Sequence, residues 1–390
     1  MLTNLAKAPF PWFGGKSKAA PHVWAALGDP AHYVEPFAGS LATLLLRPHE
    51  ANRAYYSETV NDLDGLLVNL WRSIQHSPDA TAEAASWPVS EADLHARHLA
   101  ILKWQRDREL EHLMGDPLFH DPLIAGWWVW GQSSWIGSGW CSGRGPWVVG
   151  ADGRIEKRGR GSDGVHRKRP HLSDNGQGVN AQTAREPGVS RQRPHLSDNG
   201  QGVNTATARE PGVGEPDFHP MTMPEIRRWF AFLSARLRHV RILNGSWERA
   251  VTSGVTLSLS VRQGRGPCGV FLDPPYADTA GRAEGLYAHD SLDLAHKVRE
   301  WCLEHGADKR YHIVLAGFEG EHGTALVDAG WREIEWFAGG WMSGGMGNTR
   351  KADEDEETHQ QKRERLWASP HCLVAHEATR QSSLAFMEVA

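Results

Sequence analysis

The stretch HYVEPFAGSLATLLL, residues 32–46, decides the fold. Tyr33 to Glu35 reads as a short strand, Gly39 and Ser40 as a turn, and LATLLL as the start of a helix. The pattern repeats at once. ANRAYYSETVND, residues 51–62, ends in a second short strand or turn, and LDGLLVNLWRSIQ, residues 63–75, carries apolar residues at helical spacing. AAPHVWAAL, residues 19–27, reads as a helix before the first strand. Strand, turn, helix, strand, turn, helix is the order of a parallel, doubly wound α/β sheet.

The same pattern resumes after residue 221. MPEIRRWFAFLSARLRHV reads as a helix with Pro near its start. RILNGSW is a strand candidate, CGVFLDPPY a buried strand, and SLDLAHKVREWCLEHG a helix with Gly just past its end. YHIVLAG is another buried strand, GTALVDAGWREIEWF a helix then a strand, and RERLWASPHCL a last strand. Between the halves, residues 76–125 read as mostly helical, and GWWVWGQSSWIGSGWCSGRGPWVVG, residues 126–150, concentrates the tryptophans. Large rings at irregular spacing belong mostly to a core. Residues 143–217 are rich in Gly, Pro, Arg, Ser and Asn and read as loop. They hold RPHLSDNGQGVN twice, from Arg169 and from Arg193, in a 24-residue repeat spanning 169–213. Two near-identical copies fit a duplicated flexible loop better than a solenoid. The expected organisation is therefore a sheet domain from residues 1–75 and 221–390, with 76–220 inserted.

The chain has 390 residues and a formal net charge of −5, so any basic surface is local. Four scattered cysteines without a CxxC pair fit a reduced, cytoplasmic protein. Cys302 and His305 alone make no metal site. No apolar run reaches the ~20 residues that span a bilayer. No GxxxxGK[ST] motif is present, which disfavours a nucleoside triphosphate enzyme.

Three motifs carry chemistry. Asp273-Pro274-Pro275-Tyr276 follows a buried strand, where an open α/β sheet places its ligands. Prolines stiffen this turn and leave the Pro274 carbonyl free. It is either a strand-terminal Asp-Pro turn or a holder for an exocyclic amine. In the second reading Asp273 and the Pro274 carbonyl accept the two amine protons, and Tyr276 stacks on the ring. The second motif is the Gly39 turn with Asp62 placed 23 residues later, the spacing of an acid that binds ribose hydroxyls. The third is PFPWFGGKSK, residues 9–18, either a surface turn or a loop over a cofactor that uses Trp12 and Lys16.

PWFGGK, YVEPFAGS, NDLD, GSW and FLDPPY, in this order, resemble the Dam-type, D12-class DNA adenine-N6 methyltransferases, particularly phage-borne members. The resemblance implies a Rossmann-like class I methyltransferase sheet with a target-recognition insertion. It implies S-adenosylmethionine as cofactor, double-stranded DNA as substrate and methyl transfer to adenine N6. By the same resemblance Trp12, Lys16, Glu35, Phe37, Gly39, Asp62 and Asp273 contact the cofactor. Asp273, Pro274, Pro275 and Tyr276 form the catalytic turn. The adenine must then leave the duplex to reach that turn. Arg154, Lys157, Arg158, Arg160, Arg167, Lys168 and Arg169, against Glu156 and Asp163, form either a DNA-facing patch or a solvated loop. No metal and no membrane partner are expected, and neither the restriction partner of a restriction-modification pair nor the target site is legible.

Two positions depart from the family pattern: Leu41 stands where a second glycine is usual, and Ser246 where an acid is frequent. The alternatives are N4-cytosine methylation, since cytosine also presents an exocyclic amine, and an inactive DNA-binding relative.

Overall fold

The computed structural model describes residues 6–10, 12, 15–48, 57–87, 89–107, 116, 118–135, 140–141, 147–149, 155–157, 223–257, 266–275, 293–336 and 364–373. Nine strands and ten α-helices are assigned among them. The strands are β1 (His32–Glu35), β2 (Ser57–Asp62), β3 (Trp147–Val149), β4 (Ile155–Lys157), β5 (Val240–Asn244), β6 (Cys268–Leu272), β7 (Tyr311–Phe318), β8 (Arg332–Glu335) and β9 (Glu364–Ala368). The helices are α1 (Ala20–Leu27), α2 (Ala42–Leu45), α3 (Gly65–His76), α4 (Pro78–Ala85), α5 (Glu91–Arg106), α6 (Pro122–Ser134), α7 (Met223–Leu237), α8 (Ser253–Thr256), α9 (Leu294–His305) and α10 (Ala325–Asp328).

Seven strands form one sheet in the order β5-β2-β1-β6-β7-β9-β8. The first five are parallel, with Val34 opposite both Thr59 and Val270. β9 runs antiparallel to both β7 and β8. The sheet is thus mostly parallel with one antiparallel strand near its edge, within the Rossmann-like class expected. The first return to the sheet after β1 goes to β2 on one side, and β6 then joins the other side of β1. The crevice at the carboxyl ends of β1 and β6 is thus a topological switch point, where α/β sheets bind ligands.

Side-chain alternation along each strand splits the core in two. Phe271 joins Tyr33, Val60, Val314 and Leu366 on one face, under α1, α3 and α7. Val270 and Leu272 join Val34, Ile313, Leu315 and Trp367 on the other, against α9 and Trp247. Helices α4 and α6 also contribute to the first core through Ala82, Ile124, Ala125 and Trp128. The tryptophan-rich segment is therefore largely core, as its composition implies. A small antiparallel pair, β3 with β4, lies within the stretch expected to be loop. Three-residue strands are too short to leave a periodic signal.

Local signals explain where the helices begin. Asp64 caps α3, its Oδ1 accepting from the Leu66 and Leu67 amides at 2.9 and 3.4 Å. Asp121 caps α6 through the Leu123 and Ile124 amides, both at 3.0 Å. Each cap contributes about 1 kcal/mol. Helix α2 is a single turn, since Pro48 disfavours helical backbone at Arg47. Arg47 instead turns inward, reaching Asp29 at 2.8 Å and Glu58 at 3.0 Å. Glu58 also takes Arg236 at 2.6 Å, which ties β2 to α7. Both fasten the amino ends of β1 and β2, the edge of the sheet opposite the switch point.

Candidate active site

Three segments meet at the carboxyl ends of β1, β2 and β6. The turn after β1 is the most heavily fastened. The Gly39 amide donates to Asp62 Oδ2 at 2.9 Å, and the Asp64 amide donates to Asp62 Oδ1 at 2.9 Å. The Gly39 carbonyl accepts from Trp71 Nε1 at 3.0 Å. Asn61 Nδ2 spans the Pro36 and Gly245 carbonyls at 3.0 and 2.9 Å. The Gly245 amide donates back to the Asp62 carbonyl at 3.0 Å. These bonds lock the ends of β1, β2 and β5 together.

Gly39 is required for two reasons. Its φ is +47°, and a Cβ there would lie 2.8 Å from Trp12 Nε1. Trp12 thus lies directly over the turn. Leu41, the unusual residue of this turn, also has a left-handed backbone, with φ 56° and ψ 22°. Its side chain is fully buried in the first core. The backbone shape that a glycine would favour is retained, at a cost of roughly 1–2 kcal/mol. The side chain goes into the core instead of crowding the crevice. Ser246, the second departure, is exposed and its Oγ donates to Glu248. An acid is therefore present two residues further along.

The β6 end carries Asp273. Its Oδ1 lies 3.1 Å from Lys16 Nζ, and the lysine is 4% exposed. Burial raises the Asp273 carboxyl above its ordinary range, while the Lys16 charge opposes the rise. Glu35, at the end of β1, is buried and accepts from the Tyr33 hydroxyl at 3.1 Å. Burial lifts its pKa well above normal; the Tyr33 bond opposes the rise and the Asp273 charge adds to it. Burial also raises Asp62, to about 6, against the pull of its backbone donors.

Of the residues singled out by sequence, Trp12, Gly39 and Asp62 form one contiguous group, and Lys16 and Asp273 a second. Glu35 lies within electrostatic reach of Asp273. Phe37 points to the other side of the sheet and stacks on Trp247, with centroids 6.1 Å apart and planes at 24°. Pro274 is buried and Pro275 half-buried. Tyr276 lies outside the described residues, as do Arg154, Arg158, Arg160, Arg167, Lys168, Arg169 and the 169–213 repeat. For Lys157 only the backbone, on β4, is described. Sequence reasoning missed the direct Lys16–Asp273 pair and the Asn61 clamp. Asn61 was within reach, as the residue before Asp62 in NDLD.

Among the described residues, no helix is long and apolar enough to cross a membrane. No group of three or more His, Cys, Asp or Glu residues able to hold a metal ion occurs among them.

A mostly parallel seven-strand sheet with an acid-bearing crevice at its switch point defines a Rossmann-like methyltransferase fold. Residues 12–95 match the family model of the D12 class N6 adenine-specific DNA methyltransferases, the family the motifs resemble. This match supports DNA adenine methylation as the activity. No curated protein matches the chain.

Proposed function

We propose that this chain transfers a methyl group from S-adenosylmethionine to the N6 amine of an adenine turned out of double-stranded DNA. One observation carries the reading: a half-buried Asp273, ion-paired to the buried Lys16, at the carboxyl end of β6 beside the fastened Gly39 turn.

The residues present fit the cofactor. Asp62 offers a partly buried carboxylate held in place by two backbone amides. Gly39 leaves room beneath Trp12 that a Cβ would fill. Trp12, Lys16, Glu35, Gly39 and Asp62 would hold the cofactor, with Asp62 on the ribose hydroxyls. When bound, S-adenosylmethionine supplies an electrophilic methyl group on a sulfonium.

The chain's own residues do the rest. Asp273 and the Pro274 carbonyl would accept the two N–H bonds of the target amine and so fix the direction of its nitrogen lone pair. The stiff Pro274-Pro275 turn fixes both acceptors, and such orientation supplies a large share of the barrier lowering. Lys16 stabilises the ionised Asp273 that this role needs. A nitrogen that took up the methyl group would carry one proton too many and would shed it. Asp273, made more basic by burial, is the adjacent acceptor for it. Tyr276 stacks on the extruded base, and the basic stretch Arg154–Arg169 takes the phosphates. The reading carries a cytoplasmic setting with it.

Incubating the purified chain with duplex DNA and methyl-labelled S-adenosylmethionine tests this. After digestion to nucleosides, label is expected in N6-methyladenine. Label in N4-methylcytosine would replace the substrate, and DNA retention without label would make the chain an inactive binder.

A further inference from the structure

Away from Asp273, a groove lies between α5 and α6. The groove has a volume of about 350 Å³, within the range of small-ligand sites. Trp87, Asp93, Arg97, Leu123 and Trp127 line it. Arg97 is 9% exposed and is caged by three rings, with its guanidinium carbon 4.2 Å from Trp130, 5.5 Å from Trp87 and 5.6 Å from Trp127. The cage is itself fixed, since Trp130 Nε1 donates to the Trp87 carbonyl at 2.7 Å.

Ring faces satisfy the charge of a guanidinium but not its five N–H donors. Arg97 Nη1 is buried with no hydrogen-bond partner, while the Asp93 charge acts on the guanidinium. A buried donor left unpaired is costly and points to an absent acceptor. Asp93, one helical turn before Arg97, borders the same groove and is exposed. Trp87, 47% exposed, offers a flat apolar face beside them.

This set selects its occupant. A phosphate would meet Arg97 but be repelled by Asp93, and would leave the Trp87 face unused. A flat ring with acceptors next to donors uses all three. Guanine carries O6 and N7 as adjacent acceptors, and N1–H and N2–H₂ as adjacent donors for a carboxylate. Adenine offers only one acceptor beside its amine and would leave more of the Arg97 donors unpaired. We propose that the α5–α6 groove is a guanine-binding site. The base comes either from a DNA strand, a source that rests on the DNA methyltransferase reading above, or from a free guanine nucleotide, which does not.

The groove is separate from the Asp273 crevice. Neighbouring residues on a helix point about 100° apart. Trp128 packs on Phe10 at 5.1 Å, and Phe10 on Trp12 at 5.8 Å, whereas Trp127 faces the groove.

Calorimetric titration of the full chain with GMP, IMP, AMP and CMP tests the site, alongside anisotropy with labelled duplexes that contain or lack guanine. GMP is expected to bind at least ~10-fold more tightly than AMP or CMP. IMP, which lacks the N2 donor, should fall between them. Asp93→Asn, at an exposed position, should weaken GMP at least ~10-fold with the thermal midpoint unchanged, and Trp87→Ala should weaken it at least as much. If only guanine-containing duplexes bind, and Asp93→Asn removes that preference, the source is DNA. Equal binding of all four nucleotides, preference for AMP, or guanine selectivity that survives Asp93→Asn would overturn the site. An absence of methyl transfer would sink the enzymatic reading and leave the GMP result standing.

Discussion

The two ends of the crevice are built differently. At the β1–β2 end, Asp62 accepts two backbone amides, Asn61 bridges two carbonyls, and Trp71 holds the Gly39 carbonyl. At the β6 end, Asp273 is held by one ion pair to a lysine from the N-terminal loop. The first end is fixed by bonds that no ligand needs to break. The second is set by a charge balance that any ligand at Asp273 must disturb. A site that first cradles a cofactor and then seizes a transient amine suits this division. Rigid backbone serves the constant ligand, and an adjustable carboxylate serves the reacting one.

Lys16→Met attacks the charge-balanced end and carries the largest expected effect of the perturbations to the scaffold around Asp273. With its counter-charge gone, the Asp273 carboxyl rises further. The transfer rate at pH 7 should fall about 10- to 100-fold, with the acid limb of the pH–rate profile moved upward. An unmoved acid limb would show that Lys16 does not act through Asp273.

Asn61→Ala attacks the fixed end. It strips both carbonyls of their buried donor and should cost about 2–4 kcal/mol of stability in urea denaturation. A loss under about 0.5 kcal/mol would mean that the clamp is not what fastens β1 to β5. Leu41→Gly probes the same turn from beneath. It relieves roughly 1–2 kcal/mol of left-handed strain but empties a buried leucine site worth about 2–5 kcal/mol. Net destabilisation of about 1–3 kcal/mol follows. A stabilised variant would show that the strain outweighs the packing.

A further effect is in the pH dependence of stability. Asp62 titrates at about 6 when folded, above its ordinary 3.8. A raised folded pKa means that its contribution is fully present below pH 3.8 and is lost as pH rises through about 6. Relative to Asp62→Asn, the wild type should lose stability between those pH values, measured by denaturation at several pH values. Parallel curves would contradict the burial of this carboxylate.

Much of the fold was legible because buried strands announce themselves as short apolar runs. CGVFL and YHIVLAG become the parallel strands β6 and β7 with nearly the expected bounds. The direction of the last strand was not legible: RERLW pairs equally well either way, and only the connection from β8 decides it. Helix α2 was overestimated from LATLLL, because apolar content outweighed the nearby proline. In the site, residues close in sequence, such as Asp62 and Asp64, could be placed from spacing. The Lys16–Asp273 pair could not, because its partners come from opposite ends of the sheet domain and meet only once β1 and β6 are neighbours. The fate of Leu41 likewise needed coordinates. Its type suggests a clash, whereas its left-handed backbone turns the side chain into the core.

The central claim is that Asp273 holds the reacting amine while the β1–β2 end holds the cofactor. Comparing Asp273→Ala with the wild type tests it most directly, with single-turnover transfer to DNA and equilibrium S-adenosylmethionine binding measured on the same preparations. The account predicts a fall in transfer of at least ~100-fold, with cofactor affinity kept within about threefold. Near-normal transfer by the variant would contradict it.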